Sequence, residues 1–246
     1  MKIQQENRGK IRRYLQCYFT GMICLALLSF SGIKEEQPRL VSYYKNEGIQ
    51  IDGDLNEWGR QNAVLLNGKK LKSENRVKIS SCWDREMLYF SFDVKDKDLR
   101  AYQDSTDHPR LFMDDMVEFL LDANNDKDSC WGIDNFVYHI NILRAKKDDR
   151  GTANCKSDPS WNGHAVYKIR MYGTLNDTTD VDQGYSLEIG IPWIEIGRIP
   201  EPGLTMGINF ANGDNDGKGR QLFDWVGAWP MRSPYAFGNL LLKNEK

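Results

Sequence analysis

The run FMDDMVEFLLDANNDKD, from Phe112 to Asp128, constrains the fold more than any other stretch of the chain. Inside it Val117, Phe119 and Leu121 alternate with Met116, Glu118 and Leu120, and this period of two over a short apolar length favours a strand over a helix. Two adjacent acids, Asp114 and Asp115, lead into the strand, and a run of Asp and Asn leads out. Glu118 then points away from Val117 and Phe119. Glutamate has poor strand propensity, so a solvated outer face, a pairing cation or a ligand is needed to account for it.

The same alternation recurs along the chain. Ile49 to Ile51 reads as a short strand before an Asp52-Gly53 turn, with Trp58 tucked beneath. Asn75 to Asp84 and Met87 to Lys95 form a hairpin over Arg85-Glu86 with one buried face. Phe136 to Ile142, Ala165 to Tyr172, Tyr185 to Ile191, Leu204 to Asn212, Leu222 to Gly227 and Asn239 to Lys243 follow, and Pro192-Trp193 stops the third of these abruptly. No helical pattern reaches three turns. About ten strands at this spacing predict an all-β, antiparallel β-sandwich of immunoglobulin or jelly-roll-like type.

A single domain is expected, because no Pro/Gly/Ser-rich linker divides the middle of the 246 residues. Residues 1–31 have the order of a secretory signal: a basic start, an uncharged and mainly apolar run from Tyr14 to Phe30, and Ser29-x-Ser31 before a cleavage point at Gly32. The same run, left uncleaved, is the one route to the membrane. Residues 32–45 read as a flexible lead and 46–246 as the folded domain. Residues 1–31 hold five of the 33 Lys plus Arg and one of the 35 Asp plus Glu, so the remainder is near −6. An acidic exported chain, whether periplasmic, cell-surface or secreted, does not fit nucleic-acid binding, which calls for a basic patch. In an oxidising compartment Cys130 and Cys155 can pair, while Cys82 beside Trp83 reads as a small buried residue.

Asp122, Asn124, Asp126 and Asp128 offer hard oxygen ligands at alternate positions, which suits calcium; a polar turn between strands is the competing reading. It is not an EF-hand, since Lys127 stands where the turn glycine would be. Asp115 and Glu118 do not form a catalytic pair, because residues three apart in a strand face opposite ways. His108, His139 and His164 lack a Ser or Cys partner in a nucleophile motif, and Trp131, Trp161 and Trp193 read as core or loop anchors.

Several motifs in order resemble family 9 carbohydrate-binding modules: Ile51-Asp52-Gly53 with Leu55, Glu57 and Trp58; Trp83-Asp84 before Leu88-Tyr89-Phe90; Asp114-Asp115 with Val117, Glu118 and Asp122; Glu188 with Ile191-Pro192-Trp193; Gly207-Ile208-Asn209; and Phe237-Gly238-Asn239-Leu240. The resemblance spans about residues 46 to 243. It implies a β-sandwich, bound structural calcium, and a slot in which two aromatic rings sandwich a sugar at the end of a glycan chain. Its clamp positions fall on Phe112 and Trp229. The sequence departs from the family where a basic residue becomes His139 and an amide residue becomes Ala211, so His139 or Asn141 is left to supply the directed bonds. The expected function is therefore non-catalytic binding of an oligo- or polysaccharide. The alternatives are a haem-binding sandwich of the DOMON type, with axial ligands from Met113, Met116, Met206 or Met231 and His139, and a calcium-rigidified structural or adhesive domain.

Overall fold

A computed structural model describes residues 37–59, 62–67, 73–217, 219–227 and 230–245. The expected signal segment and its boundary near Gly32 lie outside the described residues, as does Trp229. Thirteen strands form one ladder: β1 (Arg39–Tyr44), β2 (Ala63–Asn67), β3 (Arg76–Trp83), β4 (Met87–Lys95), β5 (Met116–Asp122), β6 (Asn135–Asn141), β7 (Lys146–Gly151), β8 (Ser157–Asp158), β9 (Val166–Tyr172), β10 (Gly184–Pro192), β11 (Thr205–Asn215), β12 (Arg220–Asp224) and β13 (Gly238–Lys243). The order is β8-β7-β6-β5-β11-β13-β1-β3-β4-β10-β9, with β12 on β11 and β2 on β3.

The sheet curls so that its two arms face each other. Phe90 of β4 meets Phe119 of β5 and Phe210 of β11 with ring centroids 5.6 Å apart in both cases. Val117, Phe119 and Leu121 point into this shared core, as their alternation predicts, and Met116, Glu118 and Leu120 point to the outer face. The all-β architecture is the one expected, and it is consistent with a β-sandwich.

Two details differ. The sheet is mixed rather than purely antiparallel, because β1 runs parallel to both β13 and β3 and so joins the two arms. Among the described residues there are thirteen strands rather than about ten. β1 lies inside the stretch read as a flexible lead, where flanking charges obscure its alternation and its partner is at the far end of the chain. β7 reads KKDDRG, whose charges give no apolar period. Ile49 to Ile51 forms no strand; both isoleucines pack on a small cluster of Trp58, Cys82 and Tyr89.

Acids hold the connections. Glu188 on β10 accepts from Asp52 N at 2.9 Å, Gly53 N at 2.6 Å and Trp58 Nε1 at 2.7 Å, which docks the first motif onto the sheet. Gly53 has φ +89, a left-handed conformation that L side chains rarely adopt. Asp84 closes the β3–β4 hairpin by accepting from Glu86 N, Met87 N and the Tyr89 hydroxyl. Cys130 and Cys155 are disulfide-bonded across 25 residues, a closure that adds about 3 kcal/mol by chain entropy. Cys82 is free and buried. Trp131 and Trp193 are buried, and Trp161 packs on Phe136 and Tyr138, so all three are anchors.

Candidate functional site

The outer face of β5 and its neighbours carries a recess of about 330 Å³, within the range of small-molecule sites. The strand register builds its floor: Ala211 on β11 lies opposite Glu118, Glu118 opposite His139 on β6, and His139 opposite Lys147 on β7. Phe112 stands at the rim in a single 3-10 turn, Leu111–Met113. Leu111 is buried beside Met116 and Ala145, and Asp114 accepts from Tyr102 N at 3.1 Å and Gln103 N at 2.9 Å. Pinned on both sides, the turn leaves Phe112 40% exposed. Arg220 of β12 sits over its ring, 5.1 Å from the centroid, and Leu222, Pro230, Met231 and Arg232 complete the lining.

Glu118 is 3% exposed, and burial pushes its carboxyl up to about 7. Burial also pushes His139 down to about 3, aided by Arg232, Lys147 and Arg220. His139 Nδ1 lies 3.4 Å from Glu118 Oε2 but has no hydrogen-bond partner. With the ring neutral the pair is a contact and not a salt bridge.

The signs give a pH prediction. Glu118 holds its proton more tightly folded than unfolded, so its contribution is complete below about 4.5 and is lost as pH rises through about 7. His139 acts oppositely, losing stability as pH falls from 6.5 towards 3. Glu118→Gln is therefore expected to gain about 1–3 kcal/mol relative to the parent on going from pH 5 to pH 8. Urea unfolding at both pH values measures it, and equal pH dependence of the two proteins would contradict the assignment.

Of the residues expected to bind ligand, Phe112 and His139 come together here, and Glu118 joins them. Asn141 does not contribute. It is fully buried, its Nδ2 donating to Gln103 O at 2.6 Å and Asp114 Oδ2 at 2.8 Å while its Oδ1 accepts from Ala145 N, so its hydrogen-bonding capacity is spent inside the fold. Two further basic residues, Lys147 on β7 and Arg220 on β12, line the same recess as His139. Met113 is exposed, Met116 is in a small cluster and Met206 is in the main core, so these three do not converge on His139 as axial ligands.

The acidic run is partly rearranged. Asp122 and Asp126 cluster with Asp134, their carboxylate oxygens within 4.8 Å of one another. Asp134 is twelve residues from Asp122 in sequence and arrives through the strand pairing, with Ala123 N donating to Asp134 O at 2.9 Å. Asn124 leaves the set, since its Oδ1 accepts from Arg198 Nη1 at 2.8 Å. Asp128 stays at the exposed turn, where its N donates to Asp126 Oδ1. Asn125 Oδ1 and Asp134 Oδ2 are buried without a partner. Gly207 lies beneath: a Cβ there would meet Asp122 Oδ2 at 3.0 Å and Asn125 Oδ1 at 3.2 Å.

A second acidic group, Asp96, Asp115 and Asp214, is buried. Burial raises all three above the ordinary carboxylate range, and mutual repulsion adds to this for Asp96 and Asp115. Protein donors serve it, with Asn75 Nδ2 on Asp96 and Arg100 N and Asn215 N on Asp115. A larger recess of about 660 Å³ adjoins it, bounded by Ser73, Asp96, Asp182 and Gln183 among others, and no aromatic ring among the described residues lines it.

Residues 51–245 match the family described as carbohydrate family 9 binding domain-like. The chain belongs to that family. Over 201 residues, 79% of the chain, this family 9 domain is 27% identical to the exoglucanase XynX of Acetivibrio thermocellus, of which the match covers 16%. Over 203 residues, again 79% of the chain, it is 28% identical to the endo-1,4-beta-xylanase A of Thermoanaerobacterium saccharolyticum, covering 15% of that protein. It thus spans less than a fifth of the curated relatives it matches. A solved family 9 carbohydrate binding module from Caldicellulosiruptor kristjanssonii, in complex with cellotriose, shares the fold with a TM-score of 0.64 at 20% identity, over 85% of this chain and 95% of that one.

Proposed function

We propose that the family 9 domain is a non-catalytic module that binds an oligo- or polysaccharide in the recess beside Phe112. The observation that carries this is a partly exposed aromatic ring at the rim of a recess floored by the buried Glu118 and the half-buried His139. Sugars present apolar C–H faces that stack on aromatic planes, and their hydroxyls take directed bonds from the polar groups beside them. Among the described lining residues Glu118 is the only carboxyl, whereas glycoside hydrolysis uses two flanking the bond. The disulfide supports an oxidising, extracytoplasmic location. No helix among the described residues is long and apolar enough to cross a membrane. A glycan array and affinity gels run with calcium present test the reading. Retention with a Kd of about 10–1000 μM is expected, and failure to retain any glycan contradicts it.

Calcium is proposed as the structural cofactor, held by Asp122, Asp126 and Asp134 with Asn125. Calcium takes six to eight oxygen ligands. The unpartnered oxygens of Asn125 and Asp134 over the Gly207 floor fit such an ion. The nearby Lys127 ammonium is drawn away to Phe237 O at 2.7 Å. A ligand that binds only the folded state adds about 2.7 kcal/mol at a hundredfold excess over Kd. EDTA is expected to lower the melting temperature and calcium to restore it. An unchanged melting temperature, with no calcium by elemental analysis, would leave these acids as turn residues.

A further inference from the structure

We propose that the sugar bound beside Phe112 carries a carboxylate, as in a uronic acid, and that Arg220 and Lys147 are the residues that select it. This rests on the carbohydrate-binding reading of the same recess and goes beyond it in naming the ligand class.

Among the described residues three cations, Lys147, Arg220 and Arg232, line the recess, and its one lining acid is Glu118. Arg232 is already committed: its Nη2 lies 2.8 Å from Asp149 Oδ2, and its Nη1 donates to Asp149 Oδ1 and Ser157 Oγ. The neighbouring Lys146 pairs with Asp148 at 2.7 Å. Among the described residues no carboxylate lies within ion-pair distance of Lys147 or Arg220, and the buried Arg220 Nε has no hydrogen-bond partner. Asp224, on the same strand as Arg220, instead accepts from Asn209 Nδ2 at 2.9 Å and Gly227 N at 3.1 Å. Two cations therefore line the recess without a carboxylate partner among the described residues, Arg220 resting over the Phe112 ring.

The donor inventory decides what they fit. An ammonium offers three donors and a guanidinium five, with no acceptor on either. A neutral pyranose hydroxyl both donates and accepts, and a recess rich in donors leaves half of that capacity unused. A carboxylate only accepts. Its bonds to a cation are about twice as strong as neutral ones, and a guanidinium can hold it with two parallel N–H bonds. Glu118 does not oppose this below neutral pH, since burial holds it in its protonated form. His139 is depressed first by burial and then by the positive charge of Arg232, Lys147 and Arg220 beside it.

The test uses paired oligosaccharides: uronic-acid-containing chains and the same chains reduced at C6 to neutral sugars. Binding by the parent, Arg220→Gln and Lys147→Gln is measured by calorimetry in low and high salt, with the melting temperature of each variant checked. The expected result is a preference for the acidic member of at least tenfold in low salt, reduced by high salt and lost in Arg220→Gln. Equal or tighter binding of the neutral member overturns the proposal and leaves the carbohydrate reading standing. An acidic preference that survives in both folded variants overturns the assignment to Arg220 and Lys147. Binding of neither member of any pair overturns both readings together.

Discussion

Glu188→Ala is expected to destabilise the domain by about 3 kcal/mol and to lower its melting temperature by about 6–12 °C. Glu188 is wholly buried on β10 and receives three donors, Asp52 N, Gly53 N and Trp58 Nε1. Truncation leaves those donors facing a void, and each buried donor without a partner costs about 1–3 kcal/mol. The full sum is not reached, because the carboxylate itself is uncomfortable there. Burial raises its pKa in spite of the donors, so removing the charge returns part of the loss. Thermal and urea unfolding of the parent, Glu188→Ala and Glu188→Gln measure the effect, with the glutamine variant expected to lose less because it keeps an acceptor. A melting temperature unchanged in the alanine variant would show that the turn at Gly53 is held by something else.

Phe112→Ala is expected to weaken glycan binding by at least tenfold while leaving the fold intact. The ring is 40% exposed and its neighbour Leu111, not Phe112 itself, anchors the turn. Losing the ring therefore removes a stacking surface without opening the core. Aromatic stacking contributes about 0.5–1.5 kcal/mol beyond the area it covers, and the covered area adds to that. Calorimetry on the folded variant checks it. A variant that stays folded and binds like the parent would remove Phe112 from the site.

The strands that alternate strongly were legible in the sequence. The core-facing Val117, Phe119 and Leu121 and the outward Glu118 follow from period alone, because adjacent strand residues must face opposite ways. β1 was not legible, since what makes it a strand is pairing with β13, some two hundred residues away. The same reason hides Asp134, which joins Asp122 only through the register of β5 and β6. The floor of the site was half visible. Glu118 and His139 stood out as polar residues in apolar strands, whereas Lys147 and Arg220 lie in KKDDRG and RQLFD, where charge looks like ordinary solvated surface. Asn141 misled for the opposite reason. It shares a face with His139, yet one step along the strand that face is covered by the Gln103 to Asp114 loop.

Amide NMR of the isotope-labelled domain, titrated with a retained glycan, locates the ligand directly. The largest shifts are predicted at Phe112, Glu118, His139, Lys147 and Arg220, around the 330 Å³ recess. Shifts that instead gather at Ser73, Asp96 and Gln183, around the larger recess, would contradict the placement of the sugar beside Phe112.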